Sequence, residues 1–202
     1  MITDGLTPLT FLLLVGLVLG VAGAGLLGVF ALMLRRGDVA KLLAALAFGG
    51  VDLYVALLLI AGGTSKDRVL ALGQEKHICE VDCHLAYSVV GVETGGTRCT
   101  VTVKVRFDET TISPHRGMAP LTPNSRYVAL VDERGRRSEA PTDGLRRSLV
   151  PGESYTTDLV FDVAPDAHDL RLVLRNDDLE TRLVIGHENS FLHGQTTFRI
   201  GS

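Results

Sequence analysis

Two long apolar segments at the start of the chain constrain its fold more than any other feature. No charged side chain lies between Thr7 and Leu34, and Asp52 is the only one between Leu42 and Ser65. A helix needs about 20 apolar residues to cross the hydrocarbon core of a bilayer, and each segment is longer than that. We therefore predict two membrane-spanning helices, over about residues 9–34 and 40–62, and the composition argues against a wholly soluble protein.

The first segment is predicted to remain in the protein rather than to be cleaved as a signal peptide. It lacks a basic stretch before its apolar run, which also exceeds the about 7 to 15 apolar residues of a signal peptide. The loop 35–41 between the segments carries Arg35, Arg36 and Lys41. Because basic loops favour the cytoplasm, we predict that both chain ends lie outside, on the periplasmic side of a bacterial inner membrane.

Four small residues recur at four-residue spacing along the first helix, namely Gly16, Gly20, Ala24 and Gly28. A stripe without bulky side chains lets another helix approach closely. The neighbour is either the second helix of the same chain or a helix of another integral membrane subunit. Both interpretations stay open from the sequence.

Asp52 lies near the middle of the second apolar segment. An ionised carboxylate in that position costs several kcal/mol, in order of magnitude, so it should face protein or water, or be protonated. No basic residue in the first segment can pair with it. A partner subunit, a nearby hydrogen bond and a proton-linked role are the remaining explanations.

After about residue 76 the apolar pattern changes from helical to alternating, which is typical of half-buried strands. Residues 64–76 are predicted to form a linker, and residues 77–202 an extracytoplasmic antiparallel β-sandwich behind the helical hairpin of residues 1–63. The part beyond the hairpin has 17 basic and 20 acidic side chains, a balance that argues against a nucleic-acid partner. The predicted strands are His84–Val92, Cys99–Phe107, Arg126–Val131, Tyr155–Val163, Leu170–Leu174, Arg182–Gly186 and Thr196–Ile200.

Several motifs follow one another in a recognisable order. They are Tyr127-Val-Ala-Leu-Val-Asp132-Glu-Arg-Gly135, Leu149-Val-Pro151-Gly152-Glu153, Leu159-Val-Phe161-Asp-Val and Asp169-Leu-Arg-Leu-Val-Leu174. Over about residues 84–175 the chain resembles the immunoglobulin-like extracytoplasmic domains of unknown function found on bacterial lipoproteins and membrane-anchored proteins. The resemblance implies a binding or structural module without an active site.

The layout, with two spans followed by a β-sandwich, also resembles cytochrome oxidase subunit II, and Cys79 and Cys83 have the Cys-x3-Cys spacing of its dinuclear copper site. The motif then departs from that family, because Tyr87 stands where the family has its histidine. His77 and His84 also lie at other offsets than the family's ligands. Copper chemistry of that type needs ligands in the right geometry, so we predict no metal site and keep these four residues as alternative ligands.

The two cysteines are predicted to form a local disulfide. A regular strand would hold their Cα atoms about 13 Å apart, whereas a turn or loop would bring them to about 6 Å, within the roughly 7 Å that a disulfide requires. Thiols outside the cytoplasm are usually oxidised. Free thiols and metal binding are the alternatives, and Cys99 is predicted to be a buried core thiol.

No phosphate-binding loop, zinc-protease helix or nucleophile elbow occurs in the sequence, and His187 and His193 are predicted to be loop residues. The arginines between residues 134 and 147 alternate with acids and are predicted to form a solvated hairpin face. We therefore predict a non-catalytic accessory subunit, not an enzyme and without a cofactor, whose helices dock to a larger membrane complex while its sandwich braces the outer face. Its partners would be membrane lipid and other integral subunits, and by analogy the complex would be a respiratory or photosynthetic energy-transducing assembly. A metal or redox module, and an envelope ligand-binding or sensor domain, are the alternative functions.

Overall fold

The computed structural model describes residues 7–78, 84–112, 117–125, 127–176 and 179–201. These form two compact units. One contains Met1–Ser65 together with Leu179–His193, and the other contains Lys66–Asp178 together with Gly194–Ser202. The chain therefore leaves the second unit near its end, contributes fifteen residues to the first, and returns.

The first unit is built on a helical hairpin of α1, Thr7–Met33, and α2, Gly37–Thr64. Both helices are long and apolar enough to cross a membrane, as predicted from their length and composition. Arg35 adopts a positive φ of 57° in the turn between them. Asp38 lies in the first turn of α2, where a carboxylate interacts favourably with the helix dipole.

The two helices pack along a seam of alternating three- and four-residue spacing, which keeps one face of a helix against its neighbour. Gly50 on α2 marks the contact, because a Cβ placed there would lie 3.5 Å from Cδ1 of Leu17 on α1. Less exposed residues of α1 follow this spacing, namely Thr10, Leu14, Leu17, Val21, Ala24, Gly28 and Ala31, and Gly23 beside Ala24 is partly buried as well.

The segment Leu179–His193 packs in the helical unit rather than adding a strand to the sandwich, so the strand predicted at Arg182–Gly186 is wrong. A short 3-10 helix, Leu179–Leu183, begins the segment, and a series of tight turns follows it. Its apolar run Leu183–Ile185 resembles part of a strand in sequence, but its main-chain hydrogen bonds are local. The amide of Val184 donates to the carbonyl of Thr181, and the amide of His187 donates to that of Val184.

The second unit is a β-sandwich of two sheets. The strands are β1 Arg68–Leu70, β2 Lys76–Ile78, β3 Leu85–Gly95, β4 Arg98–Phe107, β5 Tyr127–Val131, β6 Arg137–Glu139, β7 Ser154–Asp162, β8 Arg171–Arg175 and β9 Thr196–Arg199. Antiparallel strands form the first sheet, in the order β2-β3-β4-β7, and the second sheet has the order β1-β9-β8-β5-β6 with β1 parallel to β9.

The alternation in the sequence correctly predicts the longer strands, whereas β1, β2 and β6 were not predicted. Each of these has only three residues, too few to show a period of two. The predicted linker, residues 64–76, in fact contains β1, which runs beside β9. At Gly194 a Cβ would lie 2.4 Å from the carbonyl carbon of Lys66, so only glycine allows these two stretches to run so close together.

The core lies between the two sheets. In β4 the alternate residues Cys99, Val101, Val103, Val105 and Phe107 are buried, as the sequence predicts. The other sheet contributes its own inward-facing residues, which are Val128, Leu130, Leu172, Leu174 and Phe198.

Lys76 of β2 links the two sheets. Its Nζ donates hydrogen bonds to the main-chain carbonyls of Leu174, at 2.7 Å, and Thr196, at 3.1 Å. A buried ammonium group needs such partners to offset its lost hydration. The lysine therefore ties β2 to strands of the opposite sheet.

Candidate functional site

The small-residue stripe of α1 divides between two faces of the helix. Ala24 and Gly28 are partly buried on the seam with α2, whereas Gly16 and Gly20 are exposed. Because an α-helix has 3.6 residues per turn, each four-residue step rotates the position by about 40° around the helix axis. The hairpin thus occupies only the second half of the stripe, and the first half remains available to another helix.

Asp52 is exposed on α2. It is two residues from Gly50, about 200° around the helix, and so points away from the side that contacts α1. Its side chain makes no hydrogen bond or ion pair with any residue in the described parts of the chain. Because Gly50 faces Leu17, Asp52 and Gly16 lie at nearly the same height along the hairpin.

A second stripe of α2, made of Tyr54, Leu58 and Gly62, is buried. The segment Leu179–His193, called here the cover segment, packs against it. The hydroxyl of Tyr54 donates a 2.7 Å hydrogen bond to the carbonyl oxygen of Leu183. A Cβ on Gly62 would lie 2.2 Å from the carbonyl oxygen of Phe191, so glycine is required at this point of contact.

The sequence alone does not identify this stripe as a site of tertiary contact. The available signal was the apolar content of the stretch near the end of the chain, with Leu179, the run Leu183–Ile185, Phe191 and Leu192 separated by polar residues. That signal does not say what the residues contact, because the period is neither that of a strand nor that of a long helix.

In the sandwich, a cluster of charged side chains surrounds Asp108 at the end of β4. Arg106 binds Glu75 through two hydrogen bonds of 2.9 and 2.7 Å and reaches Asp108 at 3.3 Å. His77 lies 3.3 Å from the same carboxylate, and Thr110 donates to it from its amide and its hydroxyl. Every charge in this cluster faces an opposite charge or a hydrogen-bond donor.

The electrostatics of this cluster favour its charged forms. Burial alone would raise the pKa of Asp108, but hydrogen bonds from Thr110, Arg106 and His77 outweigh it and hold the pKa well below its usual value. The hydrogen bond from Arg106 lowers the pKa of Glu75. The carboxylates of this cluster are thus paired with cations and hydrogen-bond donors, as they are in structural ion-pair networks.

His77 and His84, the alternative metal ligands, each have a partner in the sandwich. His77 faces Asp108, while Nδ1 of His84 lies 2.6 Å from the hydroxyl of Thr111 and its ring stacks on Phe107. Cys79 and Cys83 lie outside the described residues, so their predicted disulfide stays a prediction. In the described parts of the chain, no three histidine, cysteine or acidic residues form a group that could hold a metal ion.

Cys99 is a buried free thiol of the core, as predicted. Burial raises its pKa, which disfavours the thiolate needed for redox chemistry or metal binding. The β5–β6 turn is held by ion pairs, because Arg136 binds Asp132 at 2.5 Å and Asp166 at 2.9 Å, and Arg134 also binds Asp166. These arginines therefore do not form an unpaired basic patch.

No protein-family model matches the chain, and no curated protein matches it. Three chains of solved structures match it, and two of them are MPT63 and the yjhA protein. MPT63, a secreted protein from Mycobacterium tuberculosis, is 12% identical, and the alignment covers 67% of this chain and 99% of that one with a TM-score of 0.44. The yjhA protein from Bacillus subtilis is 14% identical, and the alignment covers 64% of this chain and 98% of that one with a TM-score of 0.40.

Proposed function

We propose that this protein is a membrane-anchored, non-catalytic subunit that docks to a larger membrane complex through the exposed faces of its helical hairpin. Its immunoglobulin-like sandwich then braces the complex on the periplasmic side. The observation that carries the proposal is the position of Asp52, a carboxylate exposed on the face of α2 opposite the hairpin seam.

The anchor is supported by the apolar surface of both helices. Large side chains such as Leu12, Leu19, Phe30 and Phe48 are exposed around the hairpin. A water-soluble domain rarely exposes so continuous an apolar surface. In a bilayer the same surface is solvated by lipid, and the hairpin satisfies its own backbone hydrogen bonds.

Lipid does not solvate Asp52. A carboxylate in the hydrocarbon region costs several kcal/mol in order of magnitude unless protein or water surrounds it, and the hairpin leaves this side chain exposed. Gly16, at nearly the same height, and Gly20 offer a surface without side-chain bulk. Such surfaces allow close helix approach and interhelical hydrogen bonds. A helix of another subunit that carries a hydrogen-bond donor would pair with the Asp52 carboxylate and pack closely against the two glycines.

The test is purification of the full chain from its own membrane in a mild detergent, followed by identification of the subunits that copurify in fixed stoichiometry. We expect at least one integral membrane protein whose recovery depends on Asp52, so that the Asp52→Leu variant loses it while the variant itself still inserts in the membrane. A chain that purifies alone, or partners retained in full by the variant, would overturn the proposal.

A further inference from the structure

The cover segment, Leu179–His193, is folded on itself by main-chain hydrogen bonds. Besides the turn bonds described above, the amide of Phe191 donates to the carbonyl of Arg182, at 3.3 Å, and the amide of His193 donates to that of Ser190, at 3.1 Å. Unpaired backbone groups cost several kcal/mol in lipid, in order of magnitude. A non-helical segment that pairs its own backbone groups avoids much of that cost when it approaches a bilayer.

The side chains of the cover segment are arranged oppositely to those of an ordinary surface loop. Among its described side chains, the exposed ones are all apolar, and they are Leu179, Leu183, Phe191 and Leu192. The described polar side chains are buried or partly buried. Thr181, His187 and Ser190 are buried, and the side-chain Nδ2 of Asn189 donates to the Thr181 hydroxyl at 3.1 Å.

The cover segment lies against the last third of α2. Its contacts run from Tyr54 to Gly62, a distance of about 12 Å at 1.5 Å per residue. α2 has 28 residues, about eight more than the roughly 20 needed to cross the hydrocarbon core. With Lys41 at the inner boundary, Tyr54 lies about 20 Å and Gly62 about 32 Å along the helix, so the covered stripe extends from the outer third of the roughly 30 Å hydrocarbon core to its outer boundary.

We propose that the cover segment inserts into the outer interface of the same bilayer that the hairpin spans. Leu179, Leu183, Phe191 and Leu192 enter the lipid to a depth of about 5–10 Å, as interfacial apolar faces do. This inference rests on the proposed membrane anchoring. The occupant of the apolar surface is lipid, because the surface is continuous with the lipid-facing helices and no polar side chain described in the segment is exposed beside it.

The chain contains no tryptophan, so single substitutions provide site-specific fluorescent probes. The Phe191→Trp variant of the full chain is reconstituted in phosphatidylcholine vesicles with bromine atoms near the headgroup end of the acyl chains. We expect strong quenching of its emission relative to vesicles of unbrominated lipid. The Leu192→Trp variant provides a second probe of the same surface if Phe191→Trp fails to fold.

Two further probes separate this inference from the anchoring on which it rests. Phe30→Trp reports on an exposed position of α1, and Val160→Trp reports on an exposed position of β7 in the sandwich. Quenching at Phe30→Trp and at the cover segment, but not at Val160→Trp, supports both proposals. Quenching at Phe30→Trp without quenching at the cover segment overturns the insertion alone.

The remaining outcomes also give a decision. No quenching at any probe overturns the membrane anchoring together with the insertion. The tryptophan emission of the cover-segment variants can also shift to shorter wavelength without being quenched by bromine. In that case protein rather than lipid covers the surface, and the insertion is rejected.

Discussion

The hydroxyl of Tyr54 on α2 donates a 2.7 Å hydrogen bond to the carbonyl oxygen of Leu183, 129 residues further along the chain. Eight residues above Tyr54 on the same face of α2, Gly62 contacts the backbone of Phe191. These two contacts attach the cover segment to the helix at both ends. The first contact is a side-chain hydrogen bond, and the second is a close backbone contact that requires glycine.

The first prediction concerns Gly62. In the Gly62→Ala variant the new Cβ would lie 2.2 Å from the carbonyl oxygen of Phe191, so the cover segment must shift away from the helix. We expect faster amide hydrogen exchange in residues 184–193 of the full chain in detergent, with a local destabilisation of about 1–3 kcal/mol. Gly63→Ala is the matched control, because nothing lies within 4 Å of a Cβ there. Equal exchange in the two variants would contradict the close contact.

The second prediction compares two exposed glycines of α1, Gly20 and Gly25. A Cβ at either position meets nothing within 4 Å, so neither substitution disturbs the hairpin itself. We expect Gly20→Leu to reduce the recovery of partner subunits severalfold, whereas Gly25→Leu, on another face, leaves it unchanged. Thermal unfolding of the sandwich should be unaltered in both variants. If the two variants retain partners equally, Gly20 is not part of the docking face.

The third prediction concerns orientation in the membrane. The basic residues Arg35, Arg36 and Lys41 predict that the turn between the helices lies in the cytoplasm. In a cysteine-free background, a cysteine at Gly37 should not react with a membrane-impermeant thiol reagent in intact spheroplasts, and it should react after lysis. A cysteine at Gly95, at the end of β3, should react in both conditions. The reverse pattern would place the sandwich in the cytoplasm.

The fourth prediction follows from the depressed pKa of Asp108. Because the folded pKa lies below the unfolded value of about 3.9, the carboxylate stabilises the fold above that pH, and the contribution is lost as the pH falls through the folded pKa. Asp108→Asn should lower the free energy of unfolding at pH 7 by about 1–3 kcal/mol, the usual cost of losing hydrogen bonds to a charged group.

Thermal unfolding of the full chain between neutral and acidic pH tests this prediction. The variant should lose less stability than the parent on acidification, because it lacks the group whose protonation matters. Asp162→Asn is the control, since Asp162 is exposed at the end of β7. If the parent and the Asp108→Asn variant lose the same stability on acidification, protonation of Asp108 is not the cause of the loss.

The fifth prediction is the disulfide between Cys79 and Cys83, which follows from the compartment and the short spacing. Peptide mapping without reductant should recover the two cysteines in one linked species, and Cys99, buried in the core, should be alkylated only after denaturation. Elemental analysis should find no stoichiometric metal. Metal together with thiols that alkylate only after chelation would reject the disulfide and favour the redox module.

The sequence by itself determined the elements whose hydrophobic pattern extends over a long continuous stretch of residues. The two apolar segments predict α1 and α2 because helix length and hydropathy are properties of a continuous stretch. The alternation from Cys99 to Phe107 predicts β4 and its buried face for the same reason. The three-residue strand β1 was missed because it is defined by its pairing with β9 and not by its own pattern.

Only the tertiary structure decided which residues each face contacts. The four-residue stripe of α1 reads as one surface in the sequence, yet the helix twist gives Ala24 and Gly28 to the hairpin and leaves Gly16 exposed. The apolar run Leu183–Ile185 reads as a strand, yet its backbone bonds are local and Tyr54 binds it to α2. A period in the sequence reports that a face is apolar, whereas the identity of its neighbour depends on contacts between residues far apart in the chain.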